Sequence, residues 1–424
     1  MNKQWAAYQN SEVFSARVAT LYGAGEAVLA AQKERYGKLV ERFEKRFGDA
    51  QELCFFSAPG RTEIGGNHTD HNNGRVLAAA VNLDTIACVA KTDDGVIVVD
   101  SEGFPPITVE IDQLEVREAD FGTTLSLIRG TAGIMKQMGY RVGGFHATIS
   151  SSVLRGSGLS SSAAFEVLIC AILDGLYNGF VIDAKTRAVI AQKVENVFFG
   201  KPCGLMDQMA SSVGGMVTID FETEDAKVEA IACDFAARGY ALCVVNTGGN
   251  HGDLTDDYAA IRTEMEAVAA QFGKKVLREV PQHEVEENVG RLRRAVGDRA
   301  VLRALHYYDE NERVLEQVAA IKAGDLYRFF DSVKRSGDSS WKLLQNVYAR
   351  PNEEQMAMGI ELSRRFLGGD GAQRVHGGGF AGTIQAYVPM GRLPAYIGMI
   401  EAAFGPGSCT PLMIRPEGAV MMPM

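Results

Sequence analysis

Residues 143–177 place an apolar strand, a glycine- and serine-rich loop and a long apolar helix in direct succession, which constrains the fold most strongly. The strand reads GGFHATISS, the loop LRGSGLSSSAA (154–164) and the helix SAAFEVLICAILDGLY. At such a junction, exposed backbone N–H groups and the positive end of the helix dipole attract anions, and glycines let a phosphate approach closely. The sequence therefore leaves two interpretations, a phosphate-binding loop or a serine N-cap on an ordinary helix.

Two glycine-rich segments resemble nucleotide-binding motifs only in part. The loop at 154–164 lacks the lysine of a Walker loop, and Ser161 stands where the dinucleotide motif GxGxxG needs its last glycine. GGGFAG (377–382) satisfies GxGxxG, but the strand-like TIQAYVP follows it, where a dinucleotide loop should open a helix. The better interpretation of GGGFAG is a tight turn between two strands.

Helical and strand-like patterns alternate along the rest of the chain, which predicts a mixed α/β fold. Residues 24–48 read as a helix that leads into the short apolar strand LCFFSAPG. From Val76 to Asp100 two apolar segments flank Asp93-Asp94-Gly95, which predicts a β-hairpin. Residues 254–367 are mostly helical and strongly charged, after the strand-like GMVTIDF and ALCVVNT.

The composition is that of a globular protein and argues against several classes of partner. The chain has 424 residues, of which 46% are hydrophobic, and this length predicts two or three domains. The net charge of -10 disfavours non-specific attraction to nucleic acid or to an anionic membrane. No apolar run approaches the roughly 20 residues of a membrane helix, and the polar start MNKQWAAYQN lacks a signal-peptide core. We therefore expect a cytoplasmic protein, and the seven scattered cysteines fit reduced thiols.

The stretch GGNHTDHNNG (65–74) packs two histidines and an aspartate between glycines. Its HTDH segment is the second half of the HxHxDH signature of some dinuclear metallohydrolases, but Gly66 stands in place of the first histidine, so one ligand is missing. A solvated turn explains the asparagines and glycines. A sugar has many hydroxyls to satisfy, and this mixture of donors and acceptors suits one best.

Four motifs occur together along the chain, in the order SAPGRTEIGGNHTDHNNGRVL, GSGLSSSAA, CGLMDQ and GGGFAGT. Their order and spacing resemble the GHMP kinase superfamily, and most closely its galactokinase family, from about residue 52 to the C-terminus. The resemblance implies a two-domain α/β (α+β) fold with a left-handed βαβ unit in the N-terminal domain, a ferredoxin-like C-terminal domain and the active site between them. We expect an N-terminal helical extension over 1–50 and domains over 51–230 and 231–424.

On this resemblance, the stretch 65–74 corresponds to the family's sugar-binding signature. His68 and Asp70 match the signature and are expected to contact ring hydroxyls, while Gly204 and Tyr258 match further sugar-binding positions. Asn67 is carried over as a substrate contact, although the family has a glutamate there that faces the hydroxyl on C6. Three neighbours also depart from the usual Asn, Ile and Tyr, namely Glu63, Gly65 and His71.

The serine-rich loop resembles the family's ATP-phosphate loop. The expected ATP contacts are Gly156, Ser157, Gly158, Leu159, Ser160, Ser161, Ser162 and, outside the loop, Ser101. Ser162 and Glu195 correspond to the family's Mg²⁺ ligands, so the resemblance implies ATP and Mg²⁺ as cofactors. Without the resemblance, Glu195 would be interpreted as an exposed helical carboxylate.

Asp207 in CGLMDQ matches the family's catalytic aspartate, and Arg61 matches the arginine beside it. The hydroxyl of the sugar must lose its proton while it attacks the γ-phosphate, and a carboxylate can act as the base that receives this proton. A guanidinium keeps its positive charge and stabilises the negative charge that develops during transfer. On their own, Asp207 would be interpreted as a helix N-cap and Arg61 as a surface residue.

The resemblance implies ATP-dependent phosphorylation of the anomeric C1 hydroxyl of galactose, which gives galactose 1-phosphate and ADP. Two alternatives stay open. Asn67 removes a negative charge near C6, so a related sugar such as galacturonate or arabinose could be the substrate. The second alternative is a non-catalytic galactokinase-like sugar sensor. We expect a small-molecule sugar and ATP as ligands, neither nucleic acid nor membrane as partner, and a monomer or a homodimer.

Overall fold

The computed structural model describes residues 2–48, 52–153, 158–201, 203–223, 225–249, 254–380 and 382–423. The strands of these residues, numbered in chain order, are β1 Cys54–Gly65, β2 Arg75–Lys91, β3 Val96–Ser101, β4 Ile107–Glu110, β5 Phe145–Ser151, β6 Met216–Asp220, β7 Lys227–Ile231, β8 Tyr240–Asn246, β9 Ala372–Val375, β10 Thr383–Pro389, β11 Cys409–Leu412 and β12 Val420–Met421. The α-helices are α1 Lys3–Tyr8, α2 Glu12–Tyr22, α3 Glu26–Phe47, α4 Thr124–Gln137, α5 Ser161–Asn178, α6 Ala184–Val197, α7 Met206–Val213, α8 Thr255–Ala270, α9 Gln282–Glu287, α10 Val289–Val296, α11 Asp298–Ala323, α12 Leu326–Ser339, α13 Gln355–Leu367 and α14 Leu393–Phe404.

The larger sheet has the strand order β12-β1-β2-β5-β3-β4, and β6 extends it by pairing with β2 and β7. β2 is long enough to serve two partners, because residues 75–79 pair with β6 and residues 85–91 pair with β5. β3 and β5 run parallel, and the chain between them contains β4 and α4. The fold is therefore mixed α/β, as the sequence predicts.

The predicted hairpin around Asp93-Asp94-Gly95 is wrong. Its two segments are β2 and β3, but β5 lies between them and pairs with both. The turn itself forms, since Asp94 Oδ1 accepts hydrogen bonds from Thr92 Oγ1 at 2.7 Å and from the Val96 amide at 3.0 Å. Local turn residues reverse the chain, whereas a strand from much later in the sequence decides which neighbours pair.

Both faces of the larger sheet are covered, because successive strand side chains point to opposite faces. Phe55, Ile86 and Cys88 pack against the N-terminal helices α1 to α3. Phe56 and Ala87 belong instead to the core formed with α4, α5 and α6 on the other face. The serine-rich loop leads directly into α5. Because α5 is packed in this second core, the core fixes the position of the C-terminal end of the loop.

The N-terminal helices form an aromatic core with β1. Trp5 lies at the centre, with its ring centroid 5.4 Å from that of Phe14 and 5.5 Å from that of Phe55. The predicted helix over 24–48 is confirmed as α3, which carries Tyr36 into the same core. These helices are therefore a packed layer on the sheet.

Asp84 in β2 connects this helical layer to the rest of the chain. Its buried carboxylate accepts hydrogen bonds from Tyr22 Oη at 2.6 Å, from Arg35 Nη1 at 2.5 Å, from Arg415 Nη1 at 3.1 Å and from Ser57 Oγ. Burial alone would raise the pKa of Asp84, but the two guanidinium groups and the hydroxyl donors hold it below its usual value.

The smaller sheet has the strand order β11-β8-β10-β9. β9 pairs antiparallel with β10, so GGGFAG connects two neighbouring strands as the sequence predicts, although Ala381 lies outside the described residues. Helices α13 and α14 pack on this sheet, while α8, α10 and α11 form a helical core of their own. The turn at 377–379 reaches from this part of the chain toward the stretch 65–74.

Candidate active site

A cavity of about 340 Å³ brings together most of the residues that the motifs single out. Its wall is formed by the end of the serine-rich loop, the starts of α5 and α7, the turn at Asp70, and Tyr258 of α8. The residues that line it are Arg61, Asp70, Gly158, Ser160, Ser161, Ser162, Glu195, Lys201, Cys203, Gly204, Asp207, Gln208, Tyr258 and Gly378. Of the expected site residues among those described, Asn67, His68, Ser101 and Leu159 do not line it.

Arg61 and Asp207 form the central ion pair of this cavity. Arg61 Nε donates to Asp207 Oδ1 at 2.6 Å and Nη2 donates to Oδ2 at 2.7 Å, so the pair is bidentate. Ser160 Oγ donates a third hydrogen bond to Oδ2 at 2.7 Å. Burial works to raise the pKa of Asp207, but Arg61 and Ser160 outweigh it and lower that pKa. Asp207 is therefore ionised at neutral pH and placed to accept a hydrogen bond from a hydroxyl.

Asp70 is the second carboxylate of the cavity, and it lies against Gly204. A Cβ on residue 204 would meet Asp70 Oδ2 at 1.8 Å, so any larger residue here would displace the Asp70 carboxylate. Burial, followed by the negative charge of Asp207, raises the pKa of Asp70 to about 6. The cavity thus pairs one firmly ionised carboxylate with one that titrates near neutral pH.

His68 lies beside the cavity, and its backbone adopts a left-handed conformation with φ of 58°. Its Nε2 lies 2.9 Å from the carbonyl oxygen of Gly378, which ties the stretch 65–74 to the turn after β9. Burial lowers the pKa of His68 to about 4, so the ring is neutral at physiological pH. A neutral imidazole with Nε2 as donor leaves Nδ1 as an acceptor.

Asn67 is fully buried, and the protein itself uses all of its amide hydrogen-bonding capacity. Nδ2 donates to Glu63 Oε1 at 2.9 Å and to the Gly377 carbonyl at 2.7 Å. Oδ1 accepts from Ser340 Oγ at 3.2 Å and from Asn346 Nδ2 at 2.8 Å. The carboxylate of Glu63 also accepts a hydrogen bond from Arg374, and burial raises its pKa to about 7. Asn67 therefore joins the stretch 65–74 to the later part of the chain.

The described end of the serine-rich loop turns sharply into α5. Ser160 adopts a left-handed backbone conformation with φ of 58°, and α5 begins at Ser161. Leu159 is buried, and its carbonyl accepts the Arg61 amide at 2.9 Å, so its side chain serves the core. Gly158 and Ser162 line the cavity, whereas Gly156 and Ser157 lie outside the described residues.

Glu195 lies in the last turns of α6, where it is only 4% exposed. Glu195 is therefore not the exposed helical carboxylate that the residue pattern alone, without the family resemblance, would indicate. Gln208 Nε2 donates to Glu195 Oε2 at 2.8 Å, and Lys201 Nζ lies 3.5 Å from Oε1. Gln208 Nε2 also lies 3.4 Å from Glu166 Oε2, so one amide links two carboxylates.

Glu166 was not singled out from the sequence, yet it completes this acidic corner. It follows Ser162 by four residues in α5, so both side chains lie on the same face of the helix. Glu166 is completely buried, and its Oε1 finds no partner among the described residues. Burial, followed by the charge of Glu195, raises the pKa of Glu166 well above its ordinary value.

Two further expected residues occupy different surroundings. Tyr258 lines the cavity, and its hydroxyl donates to the Gly379 carbonyl at 2.7 Å. Ser101 ends β3 at a distance along the sheet, where its carbonyl accepts Arg42 Nη2 at 2.9 Å. Within the described part of the chain, no group of three or more His, Cys, Asp or Glu side chains is arranged to hold a metal ion.

Comparison with known proteins agrees with this architecture. The family model for the GHMP kinases N terminal domain matches residues 126–215, and the model for the galactokinase galactose-binding signature matches residues 41–91. The fold is thus that of a GHMP kinase. The galactokinase of Glaesserella parasuis serovar 5 is 32% identical over 84% of this chain and 90% of its own length. The galactokinase of Streptomyces coelicolor is 32% identical over 87% of this chain and 92% of its own length.

A solved structure extends the likeness to three dimensions. The crystal structure of Lactococcus lactis galactokinase complexed with galactose superposes with a TM-score of 0.80 at 24% identity, and it covers 91% of this chain and 99% of that one. The chain belongs to the galactokinase family. None of the helices in the described ranges is long and apolar enough to cross a membrane.

Proposed function

We propose that the protein transfers the γ-phosphoryl group of ATP to the C1 hydroxyl of galactose, giving galactose 1-phosphate and ADP. Family membership supports this activity. The observation that carries it is the bidentate pair of Arg61 and Asp207 beside the start of α5. A carboxylate that can receive a hydroxyl proton lies there next to a helix N-terminus suited to phosphate.

We place the sugar against Asp70, Gly204 and Tyr258, with His68 as a further polar contact. Asp70 accepts hydrogen bonds when ionised, and Gly204 leaves room for it. The Nδ1 atom of His68 adds an acceptor when Nε2 donates to Gly378. Asn67 supports the sugar-binding stretch without offering its amide to the sugar. All of its amide hydrogen bonds are made to Glu63, Ser340, Asn346 and the Gly377 carbonyl.

We place the ATP phosphates over residues 156–162, at the N-terminus of α5. Backbone N–H groups and the helix dipole attract negative charge there, and Ser160, Ser161 and Ser162 line the cavity. Leu159 contributes backbone only, since its side chain is buried. The nucleotide contact of Ser101 stays a prediction.

Mg²⁺ fits the oxygen ligands at the acidic corner. Ser162 and Glu195 would hold the ion, because hydroxyl and carboxylate oxygens are the ligands that Mg²⁺ prefers. The Oε1 atom of the buried Glu166 has no hydrogen-bond partner among the described residues, so this corner holds an unused oxygen next to the two proposed ligands. When bound, Mg²⁺ neutralises phosphate charge during transfer.

Asp207 orients the C1 hydroxyl and receives its proton as the new bond forms. Its lowered pKa makes it a weak base, so the proton moves late, when the hydroxyl has become acidic through bonding to phosphorus. Arg61 remains charged throughout and holds the carboxylate in one orientation. Its positive charge also favours the negative charge that spreads over the transferred group.

The test is coupled release of ADP with Mg-ATP and galactose, galacturonate, arabinose or glucose as acceptor. We expect galactose to give the highest kcat/KM, and Asp207→Asn to lose activity while retaining the fold by circular dichroism. Asp234→Asn, a carboxylate outside the cavity, is the matched control. A protein that releases no ADP with any of these sugars, or prefers another one, would overturn the proposal.

A further inference from the structure

A second cavity of about 370 Å³ lies in the later part of the chain, between α8, α11 and the segment 341–351. Its walls share no residue with the active-site cavity. The two are neighbours, because the ring of Phe380 in the second cavity packs edge-on against Tyr258 with the centroids 5.2 Å apart. This second cavity is large enough for a small ligand.

The wall of the second cavity is built from irregular backbone. Residues 340–344 form a π-helical turn, a rare conformation that often marks functional sites. Gln345 follows with φ of 59°, a left-handed conformation that glutamine seldom adopts. The turn carries Trp341 to the cavity, and Gln345 lines it directly.

Hydrogen-bonding groups of both kinds face this cavity. Arg303 is 1% exposed, and it donates through Nε to the Leu344 carbonyl at 3.1 Å and through Nη1 to Glu264 at 2.9 Å. Neither its Nη2 nor the carboxylate of Asp257 has a hydrogen-bond partner among the described residues. A donor and an acceptor therefore remain for a ligand.

The charges around the cavity balance. Arg299 and Arg303 both pair with Glu264, and Asp257 supplies the second carboxylate. Two positive and two negative side chains leave no net charge to attract a phosphate or an ammonium group. An uncharged ligand with both donors and acceptors matches this balance.

Aromatic side chains complete the wall. Trp341 is 37% exposed and Tyr348 is 36% exposed, while Phe380 lies buried behind them. Both rings are therefore partly open at the cavity, where a ligand can contact them. The C–H faces of a sugar ring pack on aromatic rings, and its hydroxyls use mixed donors and acceptors.

We propose that this cavity is a second binding site, specific for an uncharged sugar ring that stacks on Trp341 and Tyr348 and bonds to Arg303 and Asp257. The site is independent of the active-site cavity in its lining and does not require ATP. A sugar bound there lies on the far side of Tyr258 and Phe380 from the reacting groups.

Intrinsic fluorescence tests the second site, because the chain has two tryptophans and the other, Trp5, is buried in the N-terminal aromatic core. The titration uses the Asp70→Asn variant, which weakens the active-site sugar contact, with galactose, glucose or arabinose and without nucleotide. We expect a saturable emission change with at least one of these sugars, lost in Trp341→Phe. Asp257→Asn should raise the apparent Kd at least tenfold.

Equilibrium dialysis with radiolabelled sugar supplies a count that does not depend on tryptophan. We expect two molecules bound per wild-type chain at saturation, and in Asp257→Asn we expect the second molecule to bind only at a sugar concentration at least tenfold higher. The proposal is overturned by one site in the wild type, by an unchanged Kd in Asp257→Asn, or by a response to inorganic phosphate alone. Since no ATP is present, any of these outcomes leaves the proposed kinase activity to its own test.

Discussion

Arg61 holds the carboxylate of Asp207 through two parallel hydrogen bonds, 2.6 Å from Nε to Oδ1 and 2.7 Å from Nη2 to Oδ2. A lysine keeps the positive charge but cannot form this planar fork. We therefore expect Arg61→Lys to lower kcat on the order of 10²-fold, in line with the loss of one transition-state donor. Coupled ADP release measures this, and a wild-type kcat in Arg61→Lys would contradict the role given to the bidentate geometry.

The raised pKa of Asp70 predicts how activity depends on pH. Its pKa of about 6 means that the carboxylate is ionised above pH 6 and becomes protonated as the pH falls through that value. The protonated group loses acceptor capacity, so kcat/KM for the sugar should fall by up to about tenfold per pH unit below pH 6. Asp70→Asn should be less active and should lack this acidic limb. A profile with the same limb in both proteins would assign it to another group.

The contact between Asn67 and Glu63 predicts a penalty for a second carboxylate. Asn67→Glu would place two buried acids side by side, and we expect it to lower the free energy of unfolding by about 3 kcal/mol at neutral pH. The penalty should shrink on acidification, because protonation removes one of the charges. Urea unfolding measures both effects. The exchanged pair Glu63→Asn with Asn67→Glu restores a single carboxylate and should recover part of the loss; equal stability of Asn67→Glu and wild type would refute the prediction.

The network around Asp84 predicts strong coupling between the N-terminal helices and the sheet. Asp84→Asn leaves Arg35 and Arg415 without their buried carboxylate, so we expect a loss of about 3–5 kcal/mol in unfolding free energy. Tyr22→Phe removes the hydrogen bonds of this hydroxyl with Asp84 and with Tyr36, and it should cost about 1–3 kcal/mol. Because the folded pKa of Asp84 lies below its ordinary value, its stabilisation is present above pH 3.8 and is lost as the pH falls through the lowered pKa. Urea titrations of both variants at several pH values would detect a smaller or pH-independent effect.

The acidic corner predicts a response to metal. Chelation of Mg²⁺ by EDTA should abolish ADP release, and added Mg²⁺ should restore it. Glu195→Gln should raise the half-saturating Mg²⁺ concentration at least tenfold, since an amide oxygen carries no charge. Glu41→Gln, on the exposed face of α3, provides the matched control. An identical Mg²⁺ requirement in Glu195→Gln and wild type would remove this residue from the proposed ligand set.

Local patterns predicted much of the fold. The strand, loop and helix over 143–177 appear as β5 and α5, because alternation, glycine content and apolar periodicity are encoded within each segment. The pairing of β2 and β3 was predicted wrongly, since β5 enters between them from a later part of the chain. A short window of sequence does not show which strands from distant parts of the chain will pair. The domain boundaries at 50 and 230 stay predictions.

In the site, too, the residues in local motifs could be predicted, whereas the contacts between distant parts of the chain could not. Arg61, Asp70 and Asp207 lie in recognisable motifs and meet in one cavity. The full use of the Asn67 amide in hydrogen bonds could not be predicted, because its partners include the distant residues 340, 346 and 377. Glu166 carried a usable signal, because it follows Ser162 by four residues on a largely apolar helix.

The network at Asp84 also bears on how the chain is made. Arg415 follows Asp84 by 331 residues. A ribosome adds about 5–20 residues per second, so on the order of 20 to 60 seconds pass between the synthesis of the two. During that interval Asp84 has only its earlier partners, and β12 has not yet joined β1. The helices made first therefore gain their contacts with Arg415, which run through Asp84, only after 331 further residues have followed Asp84.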